Sequence, residues 1–361
     1  MPEQQPASGA GARLREPGPG LSFDVDRLCD YLRPLLPELR PPLQVSLFEG
    51  GQSNPTYLLR DGAGARWVLR RKPPGKLLPS AHAVDREYRV MSALAGSEVP
   101  VPRMRVLCTD DSVIGTAFYV MDWIDGRIFW DPRLPGLQPA ERAALFDEMN
   151  RVIAALHRVD VHAAGLDDYG RPGQYVQRQI ARWSQQYRAS QTEALEAMEQ
   201  LMRWLPEHVP AGDEVSIVHG DFRLDNLIFH PSEPRVLAVL DWELSTLGHP
   251  LADFAYHCMA WRLGPGQFRG IAGADLAQLG IPTEADYVAR YCRRTGRAEV
   301  PAEQWEFFIA FNMFRLAAIL QGVLARALQG NAASAQALEA GSRARPLAEA
   351  AWEQVRRIGS P

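Results

Sequence analysis

Cysteine is scarce in this sequence, and the few present are not spaced for a zinc site. The four residues Cys29, Cys108, Cys258 and Cys292 are scattered, with no Cys-x-x-Cys pair among them. This spacing argues against a zinc finger and against a disulfide framework. It is typical of a chain kept in a reducing compartment, so we expect a cytoplasmic protein.

An excess of charge of one sign is also lacking. Lysine and arginine together number 39, aspartate and glutamate 43, and the formal net charge is −4. Proteins that bind nucleic acid usually carry a basic surface, so this balance gives no reason to expect a nucleic-acid partner.

Neither a secretory signal nor a membrane span is evident. Residues 1–20 are rich in proline, glycine and alanine and have no apolar core, which predicts a disordered tail. The most apolar segment runs from Phe307 to Leu328. Asn312, Arg315, Gln321 and Arg326 interrupt it, and these side chains would be costly in lipid. We therefore predict a buried core helix there and no membrane partner.

Three familiar active-site motifs are incomplete. The segment PPGKLL has no Ser or Thr after its lysine, so it is not a phosphate-binding P-loop. The segment GAGARW lacks the third glycine of a dinucleotide fingerprint. The segment GQSNP has a proline where a hydrolase nucleophile turn needs glycine.

The pattern of turns and apolar runs predicts an α+β chain with two lobes. Short strand-like runs separated by Gly, Asn and Asp turns dominate residues 21–123, with one main helix near AHAVDREYRVMSALA. Helical periodicity dominates residues 124–361, with one hairpin embedded in it. We expect a small β-rich nucleotide-binding lobe followed by a larger helical lobe for catalysis and substrate, and a ligand in the cleft between them.

The embedded hairpin carries a distinctive set of acidic and amide residues. Asp221 follows His219-Gly220 at a strand end, Asn226 begins the hairpin NLIFHPSEPRVLAVLD, and Asp241 ends it. The hairpin should bring Asn226 and Asp241 together as oxygen ligands for Mg²⁺. Asp221 would then accept a proton from a hydroxyl, which is the division of roles that phosphoryl transfer from ATP needs. The simpler explanation is that each residue only caps a turn.

The first lobe offers candidates for holding phosphate. The turn at Gly50, Gly51, Gln52 and Ser53 could cover phosphates with backbone N–H groups, although such turns often only connect strands. In the strand WVLRRK, Arg70 and Lys72 share one face and either could reach the phosphates.

Glu87 is the other unusual residue of this lobe. It falls inside the apolar stripe of its helix, where a carboxylate needs a partner, and Arg70 is the obvious one. The alternative is a surface ion pair at the edge of the stripe.

Together these segments resemble the aminoglycoside phosphotransferase family, whose fold is similar to that of the protein kinases. That family has the motif His-Gly-Asp-x-x-x-x-Asn followed by a hydrophobic-Asp-Trp triplet, as in VHGDFRLDN and VLDWE here. The resemblance implies Asp221 as the catalytic base, Asn226 and Asp241 as ligands of Mg²⁺, and Glu87 as the partner of the strand cation. Many members carry lysine where this chain has Arg70, so the choice between Arg70 and Lys72 stays open.

The resemblance also assigns the remaining candidate positions. It implies that the connector strand meets the adenine of ATP through Met121, Asp122, Trp123 and Ile124. His219 would brace the catalytic loop, and Asp253 would be a structural acid at a helix start.

A narrower likeness concerns the substrate. The segments GGQSNPTYLL and FYVMDWIDGRIFWDPRLPG resemble the phosphotransferase domain fused to certain acyl-CoA dehydrogenases. This implies a small-molecule acceptor with a hydroxyl group, such as a hydroxyacyl-CoA. Arg171, Arg178, Arg182 and Arg188 fit an anionic acceptor, although a solvated basic helix face explains them equally well. The alternatives are a kinase for an amino alcohol or aminoglycoside, and a non-catalytic nucleotide-binding protein.

Overall fold

The structure is a computed structural model that describes residues 13–49, 54–74, 83–329 and 335–358. Its strands are β1 (Leu14–Arg15), β2 (Gln44–Phe48), β3 (Thr56–Arg60), β4 (Arg66–Arg71), β5 (Met104–Cys108), β6 (Phe118–Asp122), β7 (Ser216–Val218), β8 (Leu227–Phe229), β9 (Val236–Val239) and β10 (Thr246–Gly248).

The helices follow the same order along the chain. They are α1 (Val25–Leu32), α2 (Val84–Leu94), α3 (Pro139–His157), α4 (Tyr175–Ala189), α5 (Glu196–Glu207), α6 (Pro250–Cys258), α7 (Pro265–Phe268), α8 (Leu276–Leu279), α9 (Glu284–Thr295), α10 (Ala302–Leu328), α11 (Ala335–Ser342) and α12 (Ala344–Arg357).

The chain divides into two compact units. The first comprises Met1–Phe129, His162–Leu166 and Asp225–Ser245, and the second comprises Trp130–Val161, Asp167–Leu224 and Thr246–Pro361. The first unit is mainly β and the second mainly helical, so the predicted α+β fold is confirmed. The predicted lobe boundary between residues 123 and 124 stays a prediction.

An antiparallel sheet with strand order β1-β2-β3-β4-β6-β5 forms the centre of the first unit. Alternation puts Leu59, Trp67 and Leu69 on the face that meets α1, where they pack with Leu28 and Leu32. Helix α2 packs against β5 and β6. The sheet therefore has an apolar layer toward α1, and α2 also packs against the sheet.

The start of the sheet corrects one prediction. Leu14 pairs with Phe48 and Arg15 with Leu47, so these two residues form an edge strand instead of part of a disordered tail at 1–20. Composition could not reveal this because backbone pairing with β2, and not burial of apolar side chains, holds them. Residues 1–12 lie outside the described part of the chain.

The predicted hairpin exists as β8 and β9, and it is part of the first compact unit. Leu227 pairs with Val239 in an antiparallel register. Phe229 exchanges two backbone hydrogen bonds with Arg127, and the Val239 N–H donates to the carbonyl of Pro100 at 2.9 Å. The residues before and after the hairpin belong to the second unit. Its position in the sequence therefore led to the prediction that it lies in the helical lobe.

Helix α10 is the central element of the second unit. It packs against α4, α5, α6, α11 and α12. Its length and composition would suit a membrane span, but 83% of its most apolar window is buried inside the protein. The prediction of a buried core helix between residues 307 and 328 is confirmed, and its polar residues Asn312, Arg315 and Gln321 are buried with it.

Candidate active site

A cavity of about 190 Å³ lies within the first unit. Two predicted metal ligands and one of the two candidate strand cations line it, together with residues that the sequence did not single out. The lining residues are Thr56, Arg70, Met91, Tyr119, Met121, Asp225, Asn226, Leu240 and Asp241.

Arg70 is surrounded by carboxylates in this cavity. Its Nη2 atom lies 2.8 Å from Oδ1 of Asp241, and its Nε atom lies 3.2 Å from Oε2 of Glu87. Glu243 is the third acid, with Oε2 at 3.5 Å. The predicted pairing of Glu87 with Arg70 is therefore confirmed, whereas Lys72 lies 4.0 Å from Asp85.

Glu87 is almost completely buried. Its Oε1 accepts a hydrogen bond from Nδ2 of Asn54 at 2.9 Å, and its Oε2 accepts one from the hydroxyl of Tyr119 at 3.1 Å. Burial, with a smaller contribution from the negative charges of Asp241 and Glu243, raises the pKa of Glu87 to about 7, although Arg70 opposes the shift. The alternative of a surface ion pair is thereby excluded.

The hairpin brings Asn226 and Asp241 to the same cavity, as predicted. The Leu240 N–H donates to the carbonyl of Asn226 at 2.8 Å, which extends the pairing of β8 and β9 to the residue before Asp241. Asp241 itself has φ 65° and ψ 59°, a left-handed conformation that Asp tolerates better than most residues. The chain turns there into the short helix Trp242–Leu244.

The donor atoms of these two residues fit a magnesium ion. A carboxylate and a side-chain amide supply oxygen ligands, which Mg²⁺ prefers, and Mg²⁺ usually completes its shell with water and phosphate oxygens. The predicted roles of Asn226 and Asp241 as ligands stay predictions.

The connector segment is described, but the glycine turn is not. Gly50, Gly51, Gln52 and Ser53 lie outside the described residues. Met121 lines the cavity, and the carboxylate of Asp122 pairs with Arg105 at 2.6 Å. Trp123 stacks on Phe48 with ring centroids 5.9 Å apart. A contact of adenine with residues 121 to 124, including Ile124, stays a prediction.

In the second unit, Asp221 lies on the loop that follows β7. Gly220 has φ +82°, a conformation that favours glycine, and it allows the sharp turn before Asp221. Oδ1 of Asp221 accepts a hydrogen bond from the hydroxyl of Tyr256 at 2.6 Å, and Oδ2 accepts one from Nε of Arg223 at 3.1 Å. Both carboxylate oxygens are therefore oriented by partners within this unit.

Asp253 holds the backbone of the same loop. Its carboxylate accepts hydrogen bonds from the N–H groups of His219 at 2.7 Å and Gly220 at 2.8 Å. Burial alone would raise the pKa of Asp253, but His157, His219 and these hydrogen bonds hold it below the usual value. The geometry agrees with the structural role expected for Asp253, and His219 accepts from the Asp221 N–H at 3.2 Å through Nδ1.

Sequence reasoning missed Tyr256, Arg315, Asn54 and Tyr119. Tyr256 had a usable signal, since it comes one helical turn after Asp253. Asn54 and Tyr119 reach Glu87 from 33 and 32 positions away, so no local pattern shows them.

Of the four predicted basic residues, Arg178, Arg182 and Arg188 lie on α4, and Arg171 lies in the segment before it. Arg171 and Arg182 are exposed, and Arg178 donates to the carbonyl of Arg171 at 2.5 Å. Within the described ranges, no carboxylate oxygen lies within 4.0 Å of Arg171, Arg178, Arg182 or Arg188.

The chain is 49% identical over 343 residues to acyl-CoA dehydrogenase family member 10 of Mus musculus, covering 94% of this chain and 32% of that protein. A crystal structure from Ralstonia eutropha, described provisionally as an aminoglycoside phosphotransferase, is 56% identical. It covers 94% of this chain and 100% of its own, with a TM-score of 0.86. The chain thus spans about a third of the first relative's length.

More distant structures share the fold. Choline kinase from Cryptosporidium parvum has a TM-score of 0.65 at 12% identity, covering 92% of this chain and 97% of its own. Aminoglycoside phosphotransferase APH(4)-Ia, in a ternary complex with AMP-PNP and hygromycin B, has a TM-score of 0.56 at 16% identity, covering 90% and 98%. Since the model of the phosphotransferase enzyme family (APH) matches residues 44–300 of these 361, the chain belongs to that family of enzymes with a kinase-like fold.

Proposed function

We propose that this phosphotransferase moves the γ-phosphate of ATP to a hydroxyl group of a small metabolite. The observation that carries the proposal is the convergence of Arg70, Asn226 and Asp241 on one cavity. A cation and two oxygen donors suit the phosphate end of a nucleotide with its metal ion. A volume of about 190 Å³ fits that end and not a whole nucleotide. The AMP-PNP complex of the distant relative supports ATP as the donor.

Asn226 and Asp241 would hold Mg²⁺ through their side-chain oxygens. When bound, the ion neutralises charge that develops on the transferred phosphoryl group. Arg70, kept in place by Glu87, would direct its guanidinium to phosphate oxygens, for which its planar fork of donors is well suited. Asp221 would accept the proton of the attacking hydroxyl through its carboxylate.

We further propose that the acceptor is a hydroxyacyl-CoA. Two observations support this choice. Relatives are named as acyl-CoA dehydrogenase family members, and the basic residues of α4 have no acidic partner among the residues that the structure describes. The nucleotide part of coenzyme A is strongly anionic, so basic side chains would attract it. An amino alcohol or an aminoglycoside is the second candidate and would favour acidic surroundings instead.

One screen tests both the activity and the acceptor class. The protein is incubated with Mg-ATP and hydroxyacyl-CoAs, choline, ethanolamine or kanamycin, and a mass gain of one phosphoryl group is read by mass spectrometry. We expect the gain with a hydroxyacyl-CoA and little with kanamycin. Faster turnover of kanamycin would show that the proposed acceptor class is wrong. ATP binding by calorimetry without any product would support a non-catalytic nucleotide-binding protein, and absence of ATP binding would contradict the proposed phosphotransfer.

We also propose a cytoplasmic setting. All four cysteines are free thiols, and they are buried, which agrees with a reducing compartment. Fractionation of cells that produce the tagged full-length protein tests this, and recovery in a secreted fraction would contradict it.

A further inference from the structure

The carboxylate of Asp221 has a neutral donor that the proposed mechanism does not use. The hydroxyl of Tyr256 donates to Oδ1 at 2.6 Å, the distance expected when a hydroxyl donates to an ionised carboxylate. Tyr256 is buried, with 7% of its surface exposed. Burial, followed by the charge of Asp221, raises the pKa of this phenol, so the hydroxyl stays protonated and remains a donor.

Helix α6 connects this donor to the catalytic loop. Asp253 and Tyr256 are three positions apart and therefore lie on the same face of the helix. Asp253 binds the backbone N–H groups of His219 and Gly220, while Tyr256 binds the Asp221 side chain. One helix face thus fixes both the main chain and the side chain of the loop.

Helix α10 supports the same arrangement with a buried cation. Nη2 of Arg315 donates to the carbonyl of Gly220 at 2.7 Å. Its guanidinium lies over the rings of Tyr256 at 5.3 Å and Trp183 at 5.8 Å. Within the described part of the chain, no carboxylate oxygen lies within 4.0 Å of Arg315, although the residue is only 6% exposed. A buried cation without an acidic partner is costly, so a functional reason for it is expected.

We infer that Tyr256 is a positioning residue for Asp221, which it orients and whose ionised form it favours, with Arg315 behind it. The inference rests on the proposed role of Asp221 as the base. A base held in one orientation needs no reorganisation when the acceptor hydroxyl arrives. Tyr256 from α6 and Arg223 from the loop itself contact the Asp221 side chain, and the ring of His219 accepts from its backbone N–H. Asp253 from α6 and Arg315 from α10 bind the backbone of the same loop.

The test measures the protonation of Asp221 directly. The protein is labelled with ¹³C at the carboxyl carbons of aspartate, and the Asp221 signal is assigned by its loss in Asp221→Asn. In Tyr256→Phe, the Asp221 carboxylate should become easier to protonate, since it loses a hydrogen bond that stabilises its charged form. In a protein carrying 3,5-difluorotyrosine at position 256, a stronger donor, the carboxylate should become harder to protonate.

Tyr187→Phe is the matched control. Tyr187 is also buried, and its hydroxyl accepts from the Leu195 N–H at 3.2 Å, away from the catalytic loop. This variant should leave the Asp221 titration unchanged. An unchanged Asp221 titration in both position-256 variants would overturn the inference.

Activity separates this inference from the proposed function. With 3-hydroxybutyryl-CoA as the probe acceptor, Tyr256→Phe should lower kcat about tenfold and move the acidic limb of the pH profile upward, with KM for ATP unchanged. If Asp221→Asn keeps wild-type turnover with any acceptor, the proposed base is wrong whatever Tyr256 does. If Asp221→Asn is inactive while Tyr256→Phe titrates like wild type, only the inference fails.

Discussion

Nη2 of Arg70 lies 2.8 Å from Oδ1 of Asp241, although the two residues are 171 positions apart in the chain. The contact joins the strand cation to the end of the β8–β9 hairpin inside the first unit. Because Asp241 is the proposed metal ligand, binding of Mg-ATP would have to replace part of this ion pair by contacts to the metal and the phosphates. Asp221 takes no part in this ion pair, so a change at Asp241 and a change at Asp221 should have different effects on nucleotide binding.

Asp241→Ala should weaken Mg-dependent ATP binding, and Asp221→Asn should not. The first change removes a carboxylate from the cavity that we assign to the phosphates, and the second removes only the proton acceptor. For Asp221→Asn we expect turnover to fall about 10²–10⁴-fold, the range typical of general-base loss. Calorimetry with ATP, with and without Mg²⁺, and turnover at saturating ATP measure the two effects. Weak Mg-ATP binding by Asp221→Asn with normal turnover would reverse the assignment.

Glu87 should make the stability of the protein depend on pH. Its pKa is raised from 4.5 to about 7 in the folded protein, so its contribution to stability is full below pH 4.5 and is lost as the pH rises through 7. Glu87→Gln removes this titration while keeping the side-chain shape. We expect the free energy of unfolding of the wild type to fall, relative to Glu87→Gln, by about 1–3 kcal/mol between pH 4.5 and 7.5. Urea denaturation at both pH values measures it, and parallel curves for the two proteins would contradict the burial argument.

Gly126 should tolerate no side chain. A Cβ atom there would collide with the carbonyl oxygen of Phe229 and with Ile228, next to the pairing of Arg127 with the hairpin. Gly126→Ala should cost about 2 kcal/mol or more and weaken ATP binding, because it displaces the hairpin that carries Asn226 and Asp241. Gly266→Ala is the control, since a Cβ at Gly266 would meet nothing within 4 Å. Equal thermal stability of the two variants would argue against a fixed hairpin.

The basic face of α4 should affect the acceptor and not the nucleotide. Arg178 and Arg182 are four positions apart and share one side of the helix, whereas Arg188 lies roughly 80° from Arg178 and roughly 120° from Arg182 around the axis. The double variant Arg178→Glu, Arg182→Glu should raise KM for a hydroxyacyl-CoA about tenfold or more, with the effect shrinking at high salt. Arg188→Glu should change it little. A rise of the same size for both variants, or for ATP, would indicate a general charge effect.

Local pattern was sufficient for the parts of the site whose residues lie near one another in the sequence. The hairpin followed from two apolar runs around HPSEPR, and the Arg70–Glu87 pair followed from a carboxylate inside an apolar helix stripe. The partners of those residues could not be predicted in the same way. Tyr119 reaches Glu87 from strand β6, against which helix α2 packs, and Arg315 reaches Gly220 from 95 positions away. Such contacts depend on how elements pack, and no periodicity within a single segment records packing between segments.

Helix α10 has a further consequence for which changes in chain length this protein can accommodate. Arg315 lies near the middle of a helix that is buried on most sides, with Phe308, Phe311 and Phe314 among its packed residues. One residue inserted just before Arg315 would rotate everything after it by about 100° and shift it by about 1.5 Å. The guanidinium would leave the Gly220 carbonyl, and the second half of the helix would lose its fit with α11, whose Gly341 lies against Leu324. Insertions and deletions in α10 should therefore abolish folding and catalysis together, whereas point substitutions at Arg315 could separate them.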